Sequence, residues 1–407
     1  MLQRDDSLAW QLPDGIDELL PGPAAHVEAL RRRLLDCAGR WGYELVMPPI
    51  AEFTESLLVG VGEDLDLLTF KVPDQLSGRM LGIRADITPQ AARMDAHSLG
   101  RPGVSRLCYA GSTLHTRARS LLASRSPLQL GAELYGDASA AADIEVIELL
   151  IALLEEAGFD PAQLTLDLGH GALFTRVLEA CDIADPGLRR ALFDALQRKS
   201  RPDLDRLLRE LPPATATLLS QLLDLHGDLQ VIDVALHSLD DSVPGLRSLL
   251  AELRGLADAL GARYPELEVY IDLGELRGYH YHTGAVFTVY ARGLGEALAH
   301  GGRYDNVGAV YGRARPATGF GMDLRLLAAR LPAPAPEGDA IAAPASADPA
   351  LQARVRALRA AGETVIQAIG GAVDRRCGRE LVPVDGEWQL RQRAAVPGSA
   401  QAREKQI

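Results

Sequence analysis

The spacing of apolar residues along this chain changes period several times, and each change marks an element. After a turn-rich lead-in at residues 12–22, Val27, Leu30, Leu34, Leu35 and Ala38 recur at helical spacing. They predict a helix over residues 24–41, stopped by Gly42. Residues 44–47 read as a strand ended by Pro48-Pro49. Further strands are expected at 79–85, 104–110 and 128–135. In the last, Gln129, Gly131 and Glu133 share one face, while Leu130, Ala132 and Leu134 share the other and should meet the core. Ile144, Ile147, Ile151 and Leu154 line one side of a helix over 143–156, closed by Gly158, and a strand follows at 164–168. From Gly171 to about Ala262 the pattern is helical, broken near Asp185-Pro186, Pro202 and Pro212-Pro213, with no strand signal. Strands return at 267–273 and 285–290 in a hairpin-like region reaching 305, and 316–330 begins a helix.

Strands separated by long helical stretches predict an α+β fold with a largely antiparallel sheet. Residues 1–170 form the first part of a core, 171–262 a helical insertion, and 263–330 the second part of the core. Residues 331–339, Leu-Pro-Ala-Pro-Ala-Pro-Glu-Gly-Asp, form a linker. Residues 340–407 form a small C-terminal α/β unit of strand, helix and strand, with a polar tail from Ala394.

Composition narrows the function classes. The 407 residues are 47% hydrophobic, enough for a sizeable core. No apolar run is long enough to span a membrane, and the N-terminus does not resemble a secretion signal. Cys37, Cys108, Cys181 and Cys377 are scattered, which suggests thiols in a reducing cytoplasm. A formal net charge of −13 argues against a nucleic-acid partner, since phosphate binding needs a positive surface. Lysine occurs only at Lys71, Lys199 and Lys405, so neither a P-loop nor a Schiff-base lysine is expected.

Four clusters carry candidate chemistry. In Arg84-Ala85-Asp86-Ile87-Thr88-Pro89-Gln90, Asp86 and Thr88 either face one pocket at strand spacing and suit an ammonium group, or cap a following helix; the spacing leaves both open. Gln129 and Glu133 point into a cleft or into solvent. The run Arg277-Gly278-Tyr279-His280-Tyr281-His282-Thr283-Gly284 offers a guanidinium fork for a carboxylate and a ring-lined wall. Gly301-Gly302-Arg303-Tyr304-Asp305 is a close backbone approach to a ligand, a sharp strand entry or an ordinary turn. No set of ligands points to a metal.

Taken in order, these segments resemble the catalytic core of histidyl-tRNA synthetase over about residues 10–330. The resemblance implies a class II aminoacyl-tRNA synthetase-like antiparallel sheet flanked by helices. The stretch from Trp41-Gly42-Tyr43-Glu44 through Pro48-Pro49 to Gly60-Val61-Gly62-Glu63-Asp64 is similar to that family's first motif, which builds a dimer interface. It also implies a histidine site in which Asp86, Thr88, Gln129 and Glu133 hold the amino group. Arg277 and Tyr304 line the rest, and Tyr281 or His282 reaches the imidazole. The ATP-handling arginines are replaced: His115 and Arg117 stand where the second motif has arginine and glutamate, and Leu326 where the third has arginine.

The runs Thr69-Phe70-Lys71-Val72-Pro73-Asp74-Gln75-Leu76-Ser77-Gly78-Arg79 and Arg84–Gln90 are similar to a related family, the regulatory subunits of ATP phosphoribosyltransferase. That resemblance implies a non-catalytic cytoplasmic chain without a cofactor, itself a dimer within a hetero-oligomer. Its partner is a short-form catalytic subunit that makes phosphoribosyl-ATP, the first step of histidine biosynthesis, with L-histidine as effector. The second expectation is a synthetase-like ligase that still activates histidine.

Overall fold

The computed structural model describes residues 11–59, 62–118, 123–239, 242–275, 282–332, 340–370 and 372–393. The chain divides into two compact units, residues 1–333 and 334–407.

The strands of the first unit, in chain order, are β1 (Glu44–Leu45), β2 (Ala51–Phe53), β3 (Phe70–Pro73), β4 (Met80–Ile83), β5 (Ser105–Ser112), β6 (Leu128–Tyr135), β7 (Leu164–His170), β8 (His226–Gly227), β9 (Glu268–Asp272), β10 (Ala285–Ala291), β11 (Ala297–Arg303) and β12 (Ala317–Asp323). Nine of them form one sheet, in the order β1-β5-β6-β12-β11-β10-β7-β9-β8, and β2-β4-β3 form a small antiparallel sheet. In the large sheet only β1 with β5 and β7 with β9 pair parallel.

Two adjacent rows across the sheet show how it sorts its faces. One row reads Leu168, Phe287, Gly301, Phe320, Ala132 and Cys108, and every residue but the glycine belongs to the main core. The next reads Gly169, Val286, Gly302, Gly319, Glu133 and Leu107, and it faces the other way. The helices Pro21–Arg40, Ala140–Ala157 and Leu246–Arg263 cover the first face. Pro21–Arg40 buries Val27, Leu30, Leu34, Cys37 and Ala38, an i, i+3, i+4 stripe, and Gly42 turns the chain out of it at φ 83°. Ala140–Ala157 is apolar around most of its girth because the sheet and two helices enclose it.

Three expectations need correction. Residues 316–323 are not helical. Thr318, Phe320 and Met322 alternate with Gly319 and Gly321 as strand β12, and the helix begins only at Leu324. The helical stretch between β7 and β9 contains one strand, β8, whose two residues extend the sheet beside β9. The hairpin is β10–β11 alone, since β9 lies parallel to β7.

In the second unit β13 (Ala340–Ala343), the helix Pro349–Ala360 and β14 (Val365–Gln367) form a parallel strand-helix-strand unit. β15 (Cys377–Val384) then pairs parallel with β13, and β16 (Glu387–Gln392) completes a hairpin with β15. This hairpin was not expected from the sequence. Its signal was Asp385-Gly386, whose φ values of 51° and 84° make a two-residue turn suited to the twist of the flanking strands. Most of the linker 331–339 and the tail from Ala394 lie outside the described residues. Among the described residues, no helix is long and apolar enough to cross a membrane.

Candidate functional site

Glycine makes the floor of the candidate site. On the face of the sheet opposite the main core, Gly131 on β6 is opposite Gly321 on β12, while Gly319 lies between Glu133 and Gly302 of β11. A methyl group on Gly319 would come within 1.6 Å of Glu133 Oε2, and one on Gly131 within 2.4 Å of the Tyr109 hydroxyl. A methyl on Gly302 would meet His282 Nδ1 at 2.8 Å. Each glycine therefore leaves space that a polar side chain occupies.

Those side chains form a chain of hydrogen bonds. Asp86, between β4 and the helix Thr88–Arg93, accepts from Thr88 N at 3.0 Å and from Gln129 Nε2 at 2.8 Å, both at Oδ1. Gln129 Oε1 accepts from Ile87 N at 2.9 Å. Thr88 Oγ1 and the Tyr109 hydroxyl lie 3.0 Å apart. Tyr109 donates to Glu133 Oε1 at 2.8 Å, and Tyr304 donates to Oε2. Asp86, Thr88, Gln129, Glu133 and Tyr304 thus come together from three parts of the chain. Asp86 and Thr88 do so at a helix start rather than along a strand, so the capping geometry and the shared pocket coexist. Glu133 is no part of a solvated sheet face: it is 1% exposed.

Burial raises the Glu133 carboxyl to a pKa of about 8, against the two tyrosine hydroxyls, which favour the ionised form. Burial also pushes Tyr109 well above the usual phenol range. His282 lies on the same face, with Nδ1 3.3 Å from Arg303 O and its ring over Gly302. Burial takes its pKa down to about 4, so the ring is neutral at physiological pH. That ring lies over Gly302 of β11, whose cross-strand partner on β12 is Gly319, the glycine beneath the Glu133 carboxyl. Arg277 and Tyr281 lie outside the described residues.

Sequence reasoning missed Tyr109, and it named Arg303 only as part of a glycine-rich cluster. Tyr109 could have been found from Gly131, because a glycine inside a central strand leaves room for a bulky neighbour, and Tyr109 is its cross-strand partner. Arg303 points to the core face. It binds Asp143 Oδ2 through Nε at 3.1 Å and Nη2 at 2.9 Å, and holds the carbonyls of Asp137 and Ser139. Gly301-Gly302 is no turn: both residues lie in β11.

The arginine replacements have structural roles of their own. His115 is buried, with Nε2 2.9 Å from Ala85 O, while Arg117 is exposed. Leu326 is partly buried in the helix Leu324–Arg330. The nearby guanidinium groups engage protein oxygens. Arg84 holds Pro48 O at 2.7 Å and Ser112 O at 2.8 Å, and Arg125 holds Asp14 O at 2.8 Å and His115 O at 3.0 Å. Arg325 holds Asp17 Oδ2 at 2.8 Å and Ser126 O at 2.9 Å.

Residues 15–327 match the family model described as histidyl-tRNA synthetase. Residues 337–391 match the one described as the ATP phosphoribosyltransferase subunit HisZ C-terminal domain. A protein of Azotobacter vinelandii called ATP phosphoribosyltransferase regulatory subunit is 50% identical over 387 residues, covering 94% of this chain and 97% of that protein. The chain belongs to the family of ATP phosphoribosyltransferase regulatory subunits. An Ectopseudomonas mendocina protein of the same description is also 50% identical, over 94% of this chain and 97% of its own.

Solved structures agree with this membership. A Bacillus halodurans protein described as an ATP phosphoribosyltransferase regulatory subunit/histidyl-tRNA synthetase superposes with a TM-score of 0.79 at 28% identity, over 90% of this chain and 94% of its own. A histidyl-tRNA synthetase from a Nostoc species, 16% identical, shares the fold with a TM-score of 0.74 over 94% and 97% of the two chains. The family's sheet is thus the synthetase's class II sheet.

Proposed function

We propose that this chain is the non-catalytic regulatory subunit of ATP phosphoribosyltransferase. It acts with a short-form catalytic subunit in the first step of histidine biosynthesis, and L-histidine is its effector, bound over the glycine floor. One contrast carries the reading. The described residues join in the network Gln129–Asp86–Thr88–Tyr109–Glu133–Tyr304, while the arginine positions of the second and third synthetase motifs hold a histidine turned onto Ala85 O and a leucine. A phosphate in a desolvated site depends on charge-assisted bonds from such arginines. The α-ammonium of histidine suits Asp86 and Gln129, and the ring suits the Glu133 end.

A second copy of the chain fits the edge of the large sheet. Leu45 of the two-residue edge strand β1, Met47 and Ile50 in the connection to β2, and Val104 before β5 are all exposed. An apolar stretch of this kind on a strand edge calls for a covering surface. The cytoplasm, where histidine and ATP are at hand, is the compartment this role requires.

Phosphoribosyl-ATP formation by the short catalytic partner, with and without this chain and across a histidine titration, tests the reading. Activity that needs the chain and falls with histidine supports it. Activity indifferent to the chain rejects it. Histidine-dependent pyrophosphate–ATP exchange by the chain alone would establish the ligase reading instead.

A further inference from the structure

Among the described residues, the small sheet β2-β4-β3 is covered on one face only. Directly opposed residues of antiparallel strands share a face. Glu52, Gly82 and Lys71 therefore lie on one side, and Ala51, Phe53, Phe70, Val72, Leu81 and Ile83 on the other. The first side is packed. A methyl on Gly82 would come within 2.8 Å of Leu57 Cδ2 in the helix Thr54–Leu57, and Glu52 accepts from Arg93 of the helix Thr88–Arg93 at 2.6 and 3.0 Å. The second side is apolar at all six positions, and none of the six is buried. An antiparallel sheet ordinarily turns its apolar face to a core and its polar face to water. Here the polar side is packed and the apolar side is open.

Two cations stand over the open face. The Arg79 guanidinium lies 3.5 Å from the centre of the Phe53 ring, and that of Arg125 lies 5.5 Å from the centre of Phe70. Arg79 is half-exposed, with Glu55 3.6 Å away. Arg125 donates to the carbonyls of Asp14 and His115, which leave its charge in place. At the end of the sheet, the turn from β3 to β4 is closely bonded. Asp74 accepts from Leu76 N and Ser77 N, both at 3.2 Å, and from the Ser77 hydroxyl at 2.6 Å. Gly78, at φ 71°, donates to Asp74 O at 2.8 Å. This turn carries Leu76, which is 98% exposed. A turn already fixed loses little freedom when a partner buries it.

Resting on the proposed regulatory role, we propose that this face, with Leu76 at its end, docks the catalytic partner through an apolar ridge flanked by carboxylates. Three strands at ~4.8 Å spacing make a face roughly 14 Å across. A helix with its side chains is about 10–12 Å wide, so one ridge of that width fills it. The carboxylates on either side meet Arg79 and Arg125. A second copy fits this face poorly. Laid face to face, it would bring four guanidiniums into one small contact, and like charges set against each other are costly. Meeting the face with some other surface, it would build a ring or an open filament rather than a closed pair. The exposed residues Leu45, Met47 and Val104 remain for the second copy.

Association of the full chain with the purified short-form catalytic subunit of the same organism, measured by sedimentation velocity over about 0.05–0.5 M salt, tests this. Val72→Glu and Leu76→Glu should each weaken it at least about tenfold. Arg79→Gln should weaken it and flatten its salt dependence, because a charge pair at the contact is lost. All three side chains are exposed, so the unfolding midpoints should stay at the parent's value. Val234→Glu, on the exposed side of the helix Gln230–Leu239, is the control and should leave the association unchanged. Self-association should be the same in all four variants. A partner affinity indifferent to all three substitutions overturns the proposal. So does weakened self-association with the partner still bound, which would place the second copy on this face. A parent chain that does not associate with the catalytic subunit overturns the regulatory reading itself, and this inference with it.

Discussion

Gly319→Ala tests whether the glycine floor exists to seat Glu133. The new methyl would lie 1.6 Å from Glu133 Oε2 and 2.7 Å from Ala132 O. The carbonyl belongs to a central strand and can give little, so the carboxyl must leave and both tyrosine hydroxyls lose their acceptor. Overpacking costs about 1–3 kcal/mol, and unsatisfied buried polar groups cost a further ~1–3 kcal/mol. The lower chain entropy of unfolded alanine returns ~0.4–1 kcal/mol, which leaves a net loss of about 3 kcal/mol. Urea unfolding followed by tryptophan fluorescence measures it. Trp388→Phe in every variant confines the signal to Trp10 and Trp41, both in the unit formed by residues 1–333. Gly255→Ala is the control: it lies in the helix Leu246–Arg263 with open space around it, and alanine should stabilise it by ~0.5–1 kcal/mol. In a Glu133→Ala background the clash with the carboxyl is gone, so Gly319→Ala should cost only about 1 kcal/mol there, a coupling of ~2 kcal/mol. Equal costs in both backgrounds would refute the argument and show that the glycine serves the contact with Ala132 O instead.

Other perturbations follow from the same geometry. Because the folded state holds the Glu133 proton up to about pH 8 and the unfolded chain releases it near the ordinary 4.5, stability is fully present below the lower value and declines as pH rises through the upper one. Glu133→Gln should remove that decline, on the order of 1 kcal/mol per pH unit, as read by urea midpoints from pH 5 to 8; parallel midpoints for the two proteins would contradict it. His282 works in the opposite sense. Its depressed pKa supplies stability above pH 6.5 that is lost as pH falls through about 4, and His282→Asn should flatten the acid limb of the same curve. Arg303→Met strands the buried Asp143 carboxylate and should cost about 3–5 kcal/mol, with partial recovery in the double variant carrying Asp143→Asn. Ile50→Glu places a charge in the exposed apolar connection between β1 and β2 and should weaken self-association at least about tenfold in sedimentation equilibrium; an unchanged association constant would place the second copy elsewhere.

Local sequence alone carried the alternation of β6, the stripe of the helix Pro21–Arg40 and the switch from mixed elements to helices after β7. Each is set by burial on one face, which repeats at a period the sequence must obey. The candidate site residues were also legible, because Asp86, Thr88, Gln129, Glu133 and Tyr304 sit in motifs whose order along the chain matches a known family. Their bonding was not. Whether Asp86 capped a helix or lined a pocket depended on Gln129, 43 residues away, which fixes its carboxylate from another strand. Residues 317–323 became a strand, although helical signals follow them directly, because β6 and β11 flank that position and take up its hydrogen bonds. Tyr109 entered the site only through the register that sets it opposite Gly131. A sequence states which residues are apolar, small or ionisable at each step. Which carboxyl ends up fully buried, and therefore keeps its proton, is decided by the strands that come to lie beside it, because the cost of a buried charge depends on every neighbour at once.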